Sequence, residues 1–499
     1  MQIIKAAIAI LAVAPAVLAQ SSTSTKTPVA TPTVAPTTGV KTKTFSGQGT
    51  CTNPLIRKEF RELNPTERQS FIDAVKCLRD PKRSPSVIKT NKSPTMYDDL
   101  VFLHGQFADV THRSAQFLPW HRQMLALMEY WLRAQCGYQG ALPYWDWTID
   151  SQAPERSELF SAQWFGGNGK QASNWCVTDG QFADTLTTFV VESGKHCIHR
   201  KWSGGSSFGK QFPSLASAPF VQNLLDTSKD SYNTFRENLE FGPHNRVHAT
   251  MGGDMGYTNI SPNDVLFFLH HNNVDRTWAR WQTANPTLAA TYNGPSNPAS
   301  EAMDAKATDM MPFGGLYPDI PVNKVFSTTS GDILCYKFSN SVAPNSVAFN
   351  NKAALSARNA RRAAPANVTA TLAAAQAITP NPSDRDDKLR LRSTVPLTDA
   401  WLQQMKFTPK QVAKIRADEE YAEKFVAAVN AAGYVSQNAL TFTEAADDVR
   451  PRTAEESALH ARLLSILARN VNAFIKGDKS TPAVTDASFV ALNKLWTKA

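Results

Sequence analysis

Seven of the chain's ten histidines lie in two short segments, and this placement constrains the fold and the chemistry more than any other feature. The first segment, HGQFADVTHRSAQFLPWHR, contains His104, His112 and His121. The second, split between GPHNRVH and FFLHHNNVDRTW, contains His244, His248, His270 and His271. Imidazole is a good ligand for copper, zinc, iron and nickel. Two groups of at least three imidazoles, without a nearby cysteine or paired acidic motif, predict two adjacent metal ions, with copper as the first candidate.

The spacing in the second segment indicates helices. His244 and His248 are four residues apart and would share one helix face, with Gly242-Pro243 suited to the helix start. HNRVH lacks the glutamate of the zinc-protease pattern H-E-x-x-H. His270 and His271 would point about 100° apart on a helix. One of them is therefore expected to face the metal, and the other to pack or to form a hydrogen bond.

Asp275 lies four residues after His271, on the same predicted helix face. A carboxylate in this position can orient an imidazole. The alternative is a salt bridge from Asp275 to Arg276 or Arg280.

Caps and periodicity predict further elements. Residues 64–67, NPTE, form a capping-box pattern at the start of one helix, and residues 119–135 are apolar at helical spacing. Ser261 is predicted to cap the helix that carries the HH pair. Residues 322–338 alternate enough for one or two short strands.

The N-terminal residues indicate secretion. Residues 1–19 have a basic Lys5, an apolar run too short to span a membrane, and a small-residue cleavage pattern, so they are predicted to be a signal peptide. Residues 20–45 are rich in Ser, Thr and Pro and are expected to form a linker. An extracellular glycoprotein is expected, with sequons at Asn91, Asn259 and Asn367. Asn259 lies close to the second histidine segment, which makes its use doubtful.

Six cysteines in a secreted chain favour disulfides over thiolate metal ligands. Fifteen pairings are possible; we favour Cys77–Cys136, Cys176–Cys197 and Cys51–Cys335. The net charge of +9 comes from scattered basic residues, so nucleic acid is not an expected partner. No later segment is apolar enough to indicate a membrane partner.

The amino-acid composition of the chain changes after about residue 345. Two amphipathic patterns, PKQVAKIRADEEYAEKFVAAVNAAGY and ESALHARLLSILARNVNAFIK, predict helices there. We expect a copper domain over residues 46–345 and a helical C-terminal region over residues 346–499. Arg361-Arg362 would be a protease-sensitive point in that region. The region is expected to be a permanently docked layer or, alternatively, a cover that proteolysis removes.

Longer motifs resemble the copper-binding regions of the tyrosinase family, which includes tyrosinases, catechol oxidases and hemocyanins. The similarity lies in H-x7-H-x8-H with FLPWHR, in PHNRVH, in FFLHHNNVDRTW, in PYWDWT, in RKEFREL and in the CYKF segment of Tyr336. It covers roughly residues 50–340 and is strongest with secreted fungal polyphenol oxidases. The resemblance implies a mainly α fold: a four-helix bundle holding a dinuclear type-3 copper site, with long loops, a few short strands and a helical C-terminal region.

The resemblance also implies roles for individual residues. Copper A would be held by His104, His112 and His121, and copper B by His244, His248 and His271. In the family, a glutamate and an asparagine at the places of Glu240 and Asn245 are proposed to hold a water that deprotonates the phenol. Many relatives have a cysteine two residues before the second copper A ligand that is linked to a histidine. Here that residue is Val110, so no such crosslink is expected.

The implied activity is copper-dependent oxidation of o-diphenols to o-quinones by O2, with o-hydroxylation of monophenols as an additional activity. Small phenols and O2 are the expected partners. An o-aminophenol oxidase is an alternative within the same class. A hemocyanin-like oxygen carrier needs the same six histidines, and turnover of a catechol would exclude it. A zinc hydrolase is disfavoured, because no H-E-x-x-H glutamate is present. In the core, Arg57 or Arg61 is expected to stack on Tyr336.

Overall fold

The computed structural model describes residues 51–431 except 89–92, 152–156, 191–195, 204–213, 301, 332, 340–390 and 392–394, and also residues 465, 469 and 472. Several predicted features lie outside the described residues: the signal peptide, the linker, two of the three sequons and Arg361-Arg362. So does most of the second C-terminal helix pattern. The described residues belong to one compact unit. Among them, no helix combines the length and the apolar character needed to cross a membrane.

The described chain is mainly helical, as predicted. Its helices are α1 (Pro65–Leu78), α2 (Met96–Thr111), α3 (Phe117–Ala134), the single turn α4 (Trp147–Asp150), α5 (Ala218–Thr227), α6 (Tyr232–Leu239), α7 (Asn245–Met251), α8 (Leu266–Ala284), α9 (Asp399–Gln404) and α10 (Pro409–Ala431). Six short strands form three ladders of two: β1 (Leu55–Arg57) with β6 (Tyr336–Phe338), β2 (Leu186–Thr187) with β3 (His196–Cys197), and β4 (Met310–Met311) with β5 (Ile320–Pro321).

A four-helix bundle of α2, α3, α7 and α8 holds the two histidine segments. Of the 18 residues of α3, 15 are buried, which places this helix at the centre of the bundle. Helix α8 packs against α3 and buries its first turns in the same way. The helix predicted over 119–135 is therefore confirmed as a core helix.

Local signals determine where some helices begin. Asn64 and Glu67 form the predicted capping box at the start of α1, with hydrogen bonds of 2.9 and 2.8 Å. The prediction that Ser261 caps α8 is wrong. Ser261 lies in the 3-10 helix Thr258–Asn263, and its hydroxyl donates to the Thr258 carbonyl at 3.1 Å. The carboxylate of Asp264 instead accepts from the Leu266 N–H at 3.0 Å, where α8 begins.

The three favoured disulfides, Cys51–Cys335, Cys77–Cys136 and Cys176–Cys197, are present. Within residues 322–338 the chain forms a 3-10 helix, Val322–Val325, and the single strand β6. Strand β6 pairs in parallel with β1, with Leu55 opposite Tyr336. The segments around Cys51 and Cys335 are thus joined by a disulfide and a ladder.

Arg57 stacks on Tyr336, as expected, with its guanidinium carbon 3.4 Å from the ring centroid. Its Nε donates to Glu129 at 3.0 Å and its Nη1 to Asn272 at 2.9 Å. Arg61 does not contribute to this stack, because it pairs with Glu59 and Asp150 at 2.7 Å each. The β1 residue Arg57 therefore connects the end of the domain to α8.

The C-terminal helices α9 and α10 pack on the bundle through two apolar clusters. In one, Phe425 and Val429 of α10 lie against Leu215 and Phe220. In the other, Leu402 and Ile415 enclose Phe241 together with Leu397. A buried ion pair between Arg246 and Glu419 joins α7 to α10. The helix predicted from the PKQVAKIR pattern is confirmed.

Candidate metal centre

The bundle brings six histidines from four helical segments together. Helix α2 carries the first and ends directly before the second, and α3 carries the third. We call these the A histidines: His104, His112 and His121. The segment from α6 to α7 provides two more and α8 the last. We call these the B histidines: His244, His248 and His271.

A π-helical turn, Glu240–His244, positions the first B histidine. Gly242 leaves helical geometry there, with φ −85° and ψ −109°, directly before Pro243. Proline lacks the N–H that a regular helix needs, and π turns are frequent at functional sites. Gly242-Pro243 is therefore a kink at which the helical segment that continues α6 ends and the one that leads into α7 starts, as predicted.

The ε nitrogens of each group point to a common centre. His121 Nε2 lies 3.4 Å from His104 Nε2. His271 Nε2 lies 3.3 Å from His244 Nε2 and 3.2 Å from His248 Nε2. The rings of His121 and His271 stack with centroids 4.3 Å apart, so the A and B groups adjoin.

Backbone carbonyls hold the other ring nitrogens. Nδ1 lies within hydrogen-bond distance of a carbonyl in four of the six histidines: His112 with Ala108 at 2.9 Å, His121 with Phe117 at 2.7 Å, His244 with Glu240 at 3.2 Å, and His248 with Met255 at 2.8 Å. A proton donated from Nδ1 leaves the Nε2 lone pair free, and this arrangement is usual for metal-bound histidine.

Burial keeps the imidazoles neutral. All six are at most 6% exposed. The loss of hydration lowers the pKa of His121 to about 3 and that of His248 to about 4. The pKa values of the other four are lowered as well, first by burial and then by neighbouring imidazoles. Metal binding requires neutral histidine, so the donor set fits two ions that prefer imidazole, as copper does.

Both members of the HH pair reach the B centre: His270 and His271 each bring a ring nitrogen within 4.8 Å of those of His244 and His248. His271 does so through its Nε2, and neither ring nitrogen of the fully buried His270 has a hydrogen-bond partner among the described residues. His270 stacks on His244 at 5.2 Å and contacts Trp147. His271 as the ligand and His270 as a packing residue therefore stay predictions.

Asp275 has a different role from the one expected. Its carboxylate accepts from Arg122 Nε at 2.6 Å, from Arg57 Nη1 at 3.4 Å and from the Tyr336 hydroxyl at 2.5 Å. No imidazole of the described residues forms a hydrogen bond with Asp275. Arg276 pairs with Asp146 instead. Asp275 therefore fixes α8 to β1 and β6.

A cavity of about 330 Å³ opens beside the centre. His112, Glu240 and Asn245 line it, so the structure brings both candidate catalytic residues to one cavity with an A histidine. Asn245 Oδ1 lies 3.0 Å from His244 Nδ1. The cavity has the size expected for small-molecule sites, which range from about 300 to 1,000 Å³.

Both oxygens of the buried Glu240 already have partners. Oε1 accepts from the Arg113 N–H at 2.5 Å, and Oε2 accepts from Arg236 at 2.8 Å. Burial raises the pKa of Glu240, while Arg236 opposes this rise. The sequence analysis missed both arginines. The spacing of Arg236, four residues before Glu240, was a visible signal, whereas the contact with Arg113 is tertiary.

The C-terminal region forms one wall of the cavity through residues 404–407. Thr258 donates to the sulfur of Met405 at 2.9 Å, and Lys406 pairs with Asp109 at 2.7 Å. Phe407 packs on Phe241 with centroids 5.3 Å apart. No local pattern in the sequence could have placed this segment beside the histidines.

Residues 94–284 match the common central domain of tyrosinase. A tyrosinase-like protein of Diaporthe leptostromiformis, phomQ1, is 36% identical over 313 residues, which cover 58% of this chain and 78% of that protein. The chain belongs to the tyrosinase family. Another member, tyrosinase ustQ of Aspergillus flavus, is 36% identical over 308 residues, covering 59% of this chain and 84% of that protein. A solved polyphenol oxidase from Thermothelomyces thermophila is 26% identical, with a TM-score of 0.48, and the match covers 57% of this chain and 89% of that one.

Membership in the tyrosinase family makes the chain a tyrosinase-type copper oxidoreductase, and enzymes of this family act on phenolic substrates with O2. The family match includes all six A and B histidines, since His104 is the first and His271 the last of them within residues 94–284. The described geometry is compatible with the dinuclear copper site that the family implies.

Proposed function

We propose that the A and B histidines hold two copper ions and that the protein oxidises o-diphenols to o-quinones with O2. The observation that carries this proposal is the convergence of the Nε2 atoms of buried, neutral imidazoles beside a cavity of about 330 Å³. When bound, the two coppers supply the electron transfer between phenol and O2. Two o-diphenols give four electrons and four protons to one O2, yielding two o-quinones and two waters.

The chain's own residues position and isolate this chemistry. The carbonyls of Ala108, Phe117, Glu240 and Met255 orient four imidazoles. The aromatic rings of Phe117 and Phe267 lie against the histidines and exclude water from the centre. The phenol enters from the cavity, next to His112.

The first test is metal content together with O2 uptake. The purified protein should hold two coppers per chain by mass spectrometry and consume O2 with catechol. His271→Ala should lose copper and activity, while His270→Gln and the control His460→Ala should retain both ions. Two coppers and full turnover in His271→Ala would refute the ligand assignment. Bound zinc, or reversible O2 binding without turnover, would favour a hydrolase or an oxygen carrier.

We propose further that Glu240 and Asn245 enable the protein to act on monophenols. A phenol has a pKa near 10, so a base beside the cavity assists its binding. A carboxylate oxygen can accept more than one hydrogen bond; Glu240 can therefore hold a water while it pairs with Arg113 and Arg236.

Glu240→Gln and Asn245→Leu should lower the rate on a monophenol at least tenfold more than the rate on its catechol. Glu237→Gln is the matched control, because Glu237 also pairs with Arg236, at 3.0 Å, but does not line the cavity. Equal losses on both substrates, or no loss, would contradict the proposed role. An o-aminophenol assayed alongside distinguishes the alternative oxidase activity.

We also propose secretion through the signal peptide 1–19, followed by the linker 20–45, the copper domain 46–345 and the C-terminal region 346–499. Three disulfides support an oxidising compartment. Asn259 is exposed but lines the cavity, which disfavours its use as a glycosylation site. The two apolar clusters and the ion pair of Arg246 with Glu419 favour a permanently docked C-terminal region over a removable cover. Secreted protein that begins at Gln20, and activity unchanged by cleavage at Arg361-Arg362, are the expected results.

A further inference from the structure

A second cluster of metal-ligating side chains lies outside the A and B histidines. It comprises His196 of β3, His199 three residues later, and Asp254 in the loop after α7. His196 Nε2 lies 2.9 Å from Asp254 Oδ1. The two imidazoles stack with centroids 3.9 Å apart. One ligand atom from each residue lies within 4.8 Å of the others.

The backbone around this cluster is rigidly fixed. Gly252 and Gly253 have φ values of 56° and 52°, which favour glycine, and they turn the chain against the strand. A Cβ atom on Gly253 would lie 2.3 Å from the His199 carbonyl oxygen, so only glycine fits. The Asp254 N–H donates to that carbonyl at 2.9 Å, and the His199 N–H donates to Asp254 Oδ2 at 3.2 Å.

The two basic residues that follow His199 are engaged elsewhere, so they do not neutralise Asp254. Asp254 is 1% exposed, and its burial raises the pKa of the carboxyl group. Asp254 forms an ion pair with His196, and both His196 and His199 oppose the rise in its pKa. The nearby Arg200 is engaged by Asp264 at 2.9 Å, and Lys201 lies over the Trp175 ring. A buried carboxylate facing two imidazoles is a donor set for a borderline divalent ion.

We propose that His196, His199 and Asp254 bind one zinc-like divalent ion, with water as the fourth ligand. The neighbouring Cys176 and Cys197 are not ligands, because they form a disulfide. Ligands 2.0–2.1 Å from a tetrahedral ion are about 3.4 Å apart. Binding therefore widens the 2.9 Å contact between His196 and Asp254 by about half an ångström and draws together ligand atoms that are now up to 4.8 Å apart. His196 and His199, half-buried at the surface, can make these shifts.

A bound ion would stabilise the loop that supports the neighbouring centre of the A and B histidines. Met255 directly follows Asp254, and its carbonyl accepts from Nδ1 of the B histidine His248 at 2.8 Å. The same loop leads to Tyr257 and Thr258, which line the cavity. A bound ion would tie this loop to β3, and would thereby hold both a histidine acceptor and a cavity wall.

The test is zinc content in copper-loaded protein. After dialysis against micromolar zinc, the wild type should retain one more zinc per chain than either Asp254→Asn or His199→Ala. His460→Ala, which removes an imidazole elsewhere, should match the wild type. Zinc should raise the Tm of the wild type by several degrees and leave both variants unshifted. Equal zinc contents in the wild type and the variants would overturn the proposal.

Cobalt gives a readout that does not depend on how the variants fold. Cobalt bound by two imidazoles, a carboxylate and water should give the visible spectrum of a tetrahedral site in the copper-loaded wild type. Zinc added afterwards should displace it. A featureless or octahedral spectrum would overturn the proposal even if the variants lost stability. The zinc content and the cobalt spectrum are both independent of the proposed function, because neither measures turnover of a phenol.

Discussion

Replacing Arg57 with methionine should destabilise the folded protein by about 3–5 kcal/mol, because removing one partner of a buried ion pair leaves the other uncompensated. Arg57 is fully buried, and its Nε donates to Glu129 at 3.0 Å. The substitution leaves Glu129 with the Leu142 N–H, at 2.6 Å, as its remaining partner. Asp275 loses less, because it keeps Arg122 at 2.6 Å. Most of the expected cost is therefore that of Glu129.

The lost stack on Tyr336 adds roughly 0.5–2 kcal/mol to this cost. For a cooperative unit of about 300 residues, an unfolding entropy of about 2.1 cal/mol/K per residue converts 3–5 kcal/mol into a fall in Tm of about 5–8 °C. Guanidinium unfolding followed by tryptophan fluorescence, without reductant, measures the change in free energy directly. Differential scanning calorimetry at a fixed scan rate measures the change in Tm.

Two further variants test the cause of the loss. Arg57→Met combined with Glu129→Gln should recover part of the stability, because the second change removes the stranded charge. Lys58→Met is the surface control: Lys58 is 38% exposed and pairs with Glu67 at 3.6 Å, so it should cost at most about 1 kcal/mol. A loss below 1 kcal/mol in Arg57→Met, or no recovery in the double variant, would refute the reasoning.

Two other substitutions have expected outcomes. Tyr336→Phe removes the hydroxyl that donates to Asp275 at 2.5 Å, and should cost about 1–3 kcal/mol in the same unfolding assay; a neutral effect would show that this hydrogen bond contributes nothing net. Phe407→Ala shortens a side chain that lines the cavity and packs on Phe241, so kcat/KM for a bulky o-diphenol should rise severalfold while that for catechol stays within twofold. Equal changes for both substrates would mean that Phe407 does not restrict access.

Local chemistry explains which parts of the fold could be predicted from the sequence. The capping box at Asn64 and Glu67 involves residues three apart, and its geometry follows from the pattern alone. The choice within the HH pair does not follow in this way: a helix turns by about 100° per residue, yet His270 and His271 both bring a ring nitrogen to the B centre. The stack of Arg57 on Tyr336 was predicted from motifs at the two ends of the copper domain.

Tertiary contacts explain what could not be predicted. Asp275 was expected to orient an imidazole, but Arg122 and Tyr336 approach it from distant parts of the chain. The predicted helix start at Gly242-Pro243 is present, but the π turn that carries the chain from α6 into it has no signal in the local pattern. Met405 lies beside the cavity only because α9 and α10 dock on the bundle. No local pattern at these residues indicates which distant segments approach them.

The closure between β1 and β6 brings the two ends of residues 51–339 to neighbouring positions. The Cα atoms of Cys51 and Cys335 are 5.3 Å apart, and the Ser339 N–H donates to the Arg57 carbonyl at 2.9 Å. Chain added at either end therefore starts from the same place, far along the sequence from the helices that hold the histidines. Domains whose ends meet in this way tolerate insertion and circular permutation. An extension can therefore change the surroundings of the six imidazoles only where it docks back on the bundle, as α9 and α10 do.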